Sequence, residues 1–408
     1  MFHGEYDIEI YILASRTKER KSAMNDKSPR LPKPRTIVEC FEGLPDPRMD
    51  RTRDHKLVDI LVIGLCSLLT GGEGFTDMEV FGRAKRDWLN KFLELPNGIP
   101  SHDTFNRVFS AIAPHAFLDC FVQWVQGICT ALTGDVVAID GKALRRALNV
   151  GASIPYIVSA WASKNGLVLG QVKVDDKSNE ITAIPELLRV LEIKGCIVTI
   201  DAMGCQKEIA AQISDKKADY VLALKGNHAT AHEEIKEFFT DAVPPCANQA
   251  AQTVAPGTMN SFQTVEKDHG RIETRRYWQS TDIDWFEDKK LWKQLGSVGM
   301  VESIRRIKGK NTIERRYYLS SLPLDAKIFA TAVRGHWGVE NPLHWTLDVT
   351  FREDQSRARS KNAAQNLATL RRIALNLIKC NPRKKVSLRQ KRILAALDTA
   401  FLEQLLGV

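Results

Sequence analysis

Between Asp135 and Phe239 the hydrophobic period changes repeatedly, and the order of those changes restricts the fold more than any other feature. "DVVAID" (135–140) is a run of strand formers ending at Asp140. "YIVSAWASKNGLVLGQVKV" (156–174) reads as two β-rich runs joined at Lys164, Asn165 and Gly166, where Asn-Gly is a strong hairpin signal. A helical pattern, "AIPELLRVLEI", leads to another strand, "CIVTIDAMG", that ends at Asp201. "QKEIAAQISDKK" is helical, "ADYVLALKG" is strand-like, and a helix follows over about 229–239. Three antiparallel strands followed by crossovers through helices imply a mixed sheet with helices on its faces.

That is the element order of the ribonuclease-H-like fold. Residues from about 240 to 320 break the alternation: a loop composition, "VPPCANQAAQTVAPGTMN", precedes strand-like "SFQTVEKDHGRIETRRYWQS", "GSVGMVESIRRIKG" and "TIERRYYLSSL". An inserted set of antiparallel strands is expected there, with helical pattern returning at Asp325. Upstream, from Thr36 to about Leu132, the apolar spacing is helical. Ser101 is placed to cap a helix that shows His102, Asn106 and Arg107 early, a geometry that suits either a groove-reading helix or a packed bundle helix. The expected fold class is therefore α/β: a ribonuclease-H-like core with a β-rich insertion, preceded by a helical N-terminal domain. The expected divisions are a poorly ordered arm at 1–35, with Met24 as an alternative start, and a helical domain at 36–132. A core domain at 133–380 and a basic helical tail at 381–408 complete them.

With 44% apolar and 26% charged residues in 408, the chain has the composition of a folded globular protein. The longest apolar run, "VDILVIGLCSLLTGG" (58–72), is short for a membrane span and reads as a buried helix. The N-terminus lacks the order of a signal peptide, so the expected setting is cytoplasmic, with no membrane partner. Eight scattered cysteines without a CxxC pair point to reduced, packed thiols. The net charge of +9 is unevenly placed: from Arg352 to Arg392 thirteen Lys or Arg face two acids, Glu353 and Asp354, a net of +11. Such a segment suits either a polyanion such as DNA or a solvated helix face.

Asp140 ends the first core strand and Asp201 the strand after the first crossover, and these strands are neighbours in the expected order. Two carboxylates across one strand end repel unless a cation or proton lies between them, and a hard metal ion resolves the conflict. Mg²⁺ takes oxygen ligands, and a pair of such ions can stabilise both the attacking and leaving oxygens of a displacement at phosphorus. A third carboxylate is sought in "AVRGHWGVENPLHWTLDVTFREDQSR" (332–357), which offers Glu340, Asp348, Glu353 and Asp354. On a helix Glu340, His344 and Asp348 share a face, with Trp337 and Trp345 available as anchors. Pro342 leaves two arrangements open: a helix from Asp325 ends near Glu340, or Asn341 caps a new helix with Pro342 at its first position.

The blocks "GIPSHDTFNRVFS", "IDGKALR", "TIDAMGCQ", "ALKGNH", "DHGRIETR" and "HWGVENPLHWTLDVTFREDQSR" occur in one order after Thr36. In these the chain resembles the H-repeat-associated family of bacterial insertion-sequence DDE transposases. The resemblance implies Asp140, Asp201 and Glu340 as catalytic acids and metal ligands, with Mg²⁺ as cofactor and Mn²⁺ as a possible substitute. It implies cutting at transposon ends and attack of the freed 3′-hydroxyl on target DNA. A β-rich insert between Asp201 and Glu340, 139 residues apart, also resembles related transposases. A related Tyr-Arg-Glu-Lys signature is not matched, since Val333, His336 and Leu347 hold its Tyr, Arg and Lys places; its hairpin-handling role is not carried over.

Lys142, Arg145, Lys225, Arg271, Arg275, Arg276, Arg334 and His336 are the candidates for DNA phosphates. Arg271, Glu273 and Arg275 alternate on one strand face and suit a structural ion network equally. The implied partners are double-stranded inverted-repeat ends and target DNA, held by a homodimer. The rival readings are a metal-dependent endonuclease without strand transfer and a catalytically inactive DNA-binding descendant.

Overall fold

The computed structural model describes residues 36–129, 132–147, 155–174, 180–243, 257–268, 271–307, 310–383 and 385–408. The arm expected at 1–35, and Cys246, lie outside them. Six helices come first: α1 (Ile37–Glu42), α2 (Leu57–Thr70), α3 (Phe75–Ala84), α4 (Arg86–Leu89), α5 (His102–Ala111) and α6 (Pro114–Ile128). Thr36 and Glu39 form a reciprocal capping box at the start of α1. The apolar run at 58–72 is α2, buried on nearly every side. Ser101 caps α5 by accepting from the Thr104 N–H at 3.3 Å. This leaves His102 and Arg107 exposed at the front of α5 and buries Phe105 behind them.

Then follow β1 (Val136–Ala143), β2 (Tyr156–Ala162), β3 (Leu167–Val174), α7 (Glu180–Val190), β4 (Ile197–Ile200), α8 (Lys207–Asp215), β5 (Asp219–Leu224) and α9 (Ala229–Ala242). The β2–β3 hairpin turns where Asn-Gly predicts it, with Gly166 at φ 68°, a conformation glycine adopts freely. Buried Asp135 stabilises this turn by accepting from the backbone N–H of Lys164 (2.7 Å) and Asn165 (3.1 Å). β1 continues past Asp140 to Ala143; beyond Ile139 it is paired only with β2.

The insertion supplies β6 (Met259–Asp268), β7 (Arg271–Ser280), β8 (Ser297–Ile307) and β9 (Lys310–Ser320). Among the described residues all strands join one nine-stranded sheet, ordered β3-β2-β1-β4-β5-β9-β8-β7-β6. β1, β4 and β5 are parallel, and the remaining pairs are antiparallel. The inserted strands therefore extend the core sheet from β5, through β9, instead of forming a separate layer. This is the ribonuclease-H-like order with a β-rich addition.

Helix α10 (Ala326–His336) lies on one face of the sheet, where Phe329, Ala332 and Val333 pack with Val136, Ile197, Val221 and Tyr277. Its Asp325 cap accepts from the N–H groups of Lys327 and Ile328. After it come a π-helical stretch (Val339–Trp345), α11 (Thr346–Val349), α12 (Ala363–Cys380), α13 (Leu388–Leu397) and α14 (Thr399–Leu406). The region 381–408, expected as a basic helical tail, packs back onto the first helices. Buried Arg392 donates to the Leu68 carbonyl of α2 at 2.9 Å, and Trp88 of α4 donates to Glu403 of α14 at 2.7 Å. Its apolar residues, Phe401, Leu402 and Leu405, belong to the core cluster that contains α2 and α6. Among the described residues no single helix is long and apolar enough to cross a membrane, and every cysteine is free, most of them buried.

Candidate active site

Parallel register sets Ile139 beside Ile200, so the next residues along, Asp140 and Asp201, sit side by side at the sheet edge. Asp201 follows the last residue of β4 and caps a short 3-10 turn, accepting from the N–H of Met203 (3.1 Å) and Gly204 (3.4 Å). "KGNH" after β5 braces this turn: Asn227 donates to the Ala202 carbonyl at 2.7 Å, and His228 Nε2 lies 2.6 Å from the Cys205 carbonyl. A Cβ at Gly141, next to Asp140, would meet the buried Glu180 carboxylate at 2.3 Å, so a side chain there needs that carboxylate to move.

The third acid arrives by a route the sequence did not show. Of the two arrangements expected around Pro342, the helix from Asp325 that ends before Glu340 is present as α10, but the chain then continues as a π-helical stretch that accommodates the proline, and no new helix starts at Asn341. Wider winding of this kind marks functional positions more often than ordinary helix does. Glu340 lies in it, and so does His344, whose Nε2 is 3.3 Å from Asp140 Oδ2. Close as that contact is, neither ring nitrogen of half-buried His344 makes a well-aligned hydrogen bond.

Asp140, Asp201 and Glu340 line one cavity of about 300 Å³ with Thr199, Lys225, His336, Trp337 and residues Glu314 to Tyr318 of β9. At its centre His336 Nδ1 is 3.1 Å from Thr199 Oγ1. Burial drives the His336 pKa below its usual range, against the pull of Asp140, Asp201 and Glu340, each near enough to favour the charged ring. Burial pushes the Asp140 pKa up, but His344, His336 and the Gly141 N–H together outweigh it and hold the carboxyl below its usual value. Among the described residues none of the three acids is ion-paired with Lys or Arg. Among the described residues no three His, Cys, Asp or Glu side chains stand close enough together to hold a metal ion as they are placed. The donor type nevertheless suits a hard cation: three carboxylates without a Lys or Arg partner among the described residues line one cavity.

The other acids of 332–357 serve a different purpose. Asp348, Glu353 and Asp354 surround Lys142 Nζ at 2.6, 3.4 and 2.9 Å, and Glu353 also meets fully buried Arg372 at 2.7 Å. Lys142, expected on DNA phosphates, is therefore only 9% exposed and committed to internal pairs. Asp348 does not share a site with Glu340, because the π-helical winding alters the spacing that an α-helix would give.

The remaining cations separate into two groups. Lys225 is exposed at the cavity rim, and Arg145 is 76% exposed with only a 3.5 Å contact to Asp354. The insertion is instead an ion network: Glu273 holds Arg275 (2.7 Å) and Arg305 (3.0 Å), with Arg271 at 3.9 Å. Glu302 holds Arg315 (2.8 Å) and lies 3.6 Å from Arg276, and Glu266 holds Arg275 (2.9 Å) and Arg334 (3.1 Å). Two participants were missed in the sequence. Thr199 is a buried polar residue in an apolar strand, two positions before Asp201, and that anomaly was a usable signal. Arg316, stacked 4.8 Å over Trp337, had none.

Two family descriptions match the chain: "DDE_Tnp_1-associated" over residues 38–125 and "Transposase DDE domain" over residues 133–377. YncI of Escherichia coli O157:H7, which carries a transposase name, is 41% identical over 378 residues, 91% of this chain and 94% of that protein. YhhI of Escherichia coli strain K12, named as an H repeat-associated transposase, is 39% identical over 378 residues, 91% of this chain and 97% of that protein. A likeness to a piggyBac transposase synaptic complex with hairpin DNA covers 91% of this chain and 78% of that one. Its TM-score of 0.41 at 11% identity is too low to bear on the fold. With matches over nearly the whole of both its helical region and its sheet, the chain belongs to the H-repeat-associated DDE transposases of bacterial insertion sequences.

Proposed function

We propose that this transposase cleaves the ends of its element and joins the freed 3′-hydroxyl to target DNA by phosphodiester transfer. The transfer depends on a divalent ion, Mg²⁺ with Mn²⁺ as substitute. Asp140, Asp201 and Glu340 would hold that ion. The observation that carries this reading is their convergence, from β1, the end of β4 and the π-helical stretch, on one cavity without a paired lysine or arginine among the described residues. When bound there, the ion stabilises charge on the attacking and leaving oxygens of an in-line displacement.

The chain's own groups do the remaining work. Backbone donors of Met203 and Gly204 fix the Asp201 carboxylate at the end of its strand. His344 lies against Asp140, while His336, whose pKa burial lowers, lines the same cavity and contacts Thr199. Lys225 at the rim supplies a cation for a phosphate. The helical region assists in recognising the inverted repeats, and two copies act together because two ends must be brought to one target.

The test is incubation of the purified protein with labelled inverted-repeat DNA and a target plasmid in Mg²⁺, beside Asp140→Asn. Joined products that disappear in the variant are expected. Nicks without joining on the correct ends would replace this reading by an endonuclease, and binding with neither product by an inactive descendant.

A further inference from the structure

The +11 segment is not a single patch. Arg371, Arg372, Lys391 and Arg392 point into the protein, Arg371 to the Glu73 carbonyl at 2.8 Å and Lys391 to the Asn381 carbonyl at 2.9 Å. These cations fasten α12 and α13 to the rest of the molecule, so they are withdrawn from any partner. Arg357, Arg359 and Lys361 instead lie exposed in the extended stretch before α12. Ala358 between the two arginines packs against the core, which turns both guanidinium groups outward.

Two contacts join this stretch to the end of β1. Arg359 Nε donates to the Arg146 carbonyl at 3.2 Å, and Arg145 Nε lies 3.5 Å from Asp354. Arg145 and Arg146 are themselves exposed, five and six residues beyond Asp140. The stretch also lines a cleft of about 480 Å³ together with Glu73 to Asp77 and with His102, Asp103 and Asn106 of α5. The acids at that cleft are largely occupied. Glu73 pairs with Arg352 at 3.0 Å, and Asp77 accepts from the N–H groups of Glu73 and Gly74. Asp103 is left to face solvent, beside His102 at 3.6 Å. Both ends of the stretch are held in left-handed backbone conformations by residues that rarely adopt them, Arg352 at φ 50° and Lys361 at φ 42°. Its path is thus set by the surroundings and not by local preference.

We propose that Arg145, Arg146, Arg357, Arg359 and Lys361 form a continuous basic ribbon that grips the phosphate backbone of the transposon-end duplex between α5 and the reacting end. The inference rests on the transposase reading. A row of cations on an extended, rigid segment suits a regular line of phosphates and carries no sequence information. The ribbon begins five residues from Asp140 and ends at the cleft bordered by the exposed front of α5, where His102 is paired with Glu79 at 2.8 Å. It therefore specifies the end duplex, whose recognised part and cut part must be bound at once, and not the target.

The test compares three purified full-length proteins binding an end duplex across a salt series: unaltered, Arg146→Gln with Arg357→Gln, and Lys385→Gln with Arg389→Gln. The last removes the same charge from exposed positions outside the ribbon. Loss of two phosphate contacts lowers the slope of log K against log salt by about 1.8. That fall is expected for the ribbon variant alone, with an unchanged melting temperature and with the slope restored by Arg146→Lys and Arg357→Lys. Equal slopes in all three proteins, or equal falls in both glutamine variants, would overturn the ribbon while leaving the transposase reading intact. A ribbon variant that binds ends normally but fails to capture an unrelated target duplex would overturn the assignment to the end. Absence of end binding by the unaltered protein would overturn both readings.

Discussion

Residues 340 and 353 lie thirteen positions apart in one segment, yet their carboxylates have opposite surroundings. Glu353 is fully buried between Arg372 and Lys142; burial pushes its pKa up, but those cations bring it down to about 2. Glu340 is exposed, with Asp140 and Asp201 beside the same cavity and no cation paired to any of them among the described residues. One cluster is complete in itself, and the other lacks its counter-charge. Acids at two places in one motif can therefore be sorted by what neutralises them: those with built-in cations hold the fold, and those without await a partner.

This contrast is tested most severely at Glu353. Glu353→Gln leaves Arg372 and Lys142 short of their buried partner and is expected to destabilise the fold by about 3–5 kcal/mol in chemical denaturation; a loss below 1 kcal/mol would mean the cluster is not structural. Asp140→Asn, Asp201→Asn and Glu340→Gln are expected to do the reverse, leaving the melting temperature unchanged or raised while cleavage falls. The fall should exceed the roughly ten- to hundredfold cost of losing an outer-shell partner. If Glu340→Gln retained activity and Asp348→Asn lost it, the division between the clusters would be drawn in the wrong place.

His344→Asn is expected to raise the Mg²⁺ concentration for half-maximal cleavage by about ten- to hundredfold, since it removes the ring 3.3 Å from Asp140 Oδ2, with stability little changed. In acid, the closed cluster has a definite signature. Because the Glu353 pKa is lowered from 4.5 to about 2 on folding, the unfolded chain binds the extra proton between these values. Its contribution is complete above pH 4.5 and lost as the pH falls towards 2. An unfolding series over that range should lose this component in Glu353→Gln. The smallest effect is expected at Arg145, at the outer margin of the closed cluster: Arg145→Gln changes stability by no more than about 0.5 kcal/mol, because its contact with Asp354 is solvent-screened.

Much of the core was legible because its signals are local. Strand alternation, the Asn-Gly turn and the Ser101 cap each act within a few residues, and strand order then brings Asp140 and Asp201 together. Glu340 was harder: the helix from Asp325 does end just before it, but Pro342 gave no sign of the π-helical stretch that carries Glu340. Lys142 misled for another reason: it follows Asp140 by two residues on a strand that continues, so it shares a side of the sheet with that acid but meets Asp348, Glu353 and Asp354 from more than 200 residues away. Nothing near Lys142 in the sequence announces those partners. The charge of the final helices misled likewise, because a buried arginine with carbonyl partners has the same letter as an exposed one.

The single sheet has a mechanical consequence. Strand β9 contributes Glu314 to Tyr318 to the cavity wall and is hydrogen-bonded to β5, which is bonded to β4, whose end carries Asp201. The same β9 runs out into the long β8–β9 hairpin, paired along its whole length from Ser297–Ser320 to Ile307–Lys310. The far end of the hairpin is thus joined to the sheet edge that carries Asp201 by an unbroken series of strand pairings, β8 to β9 to β5 to β4.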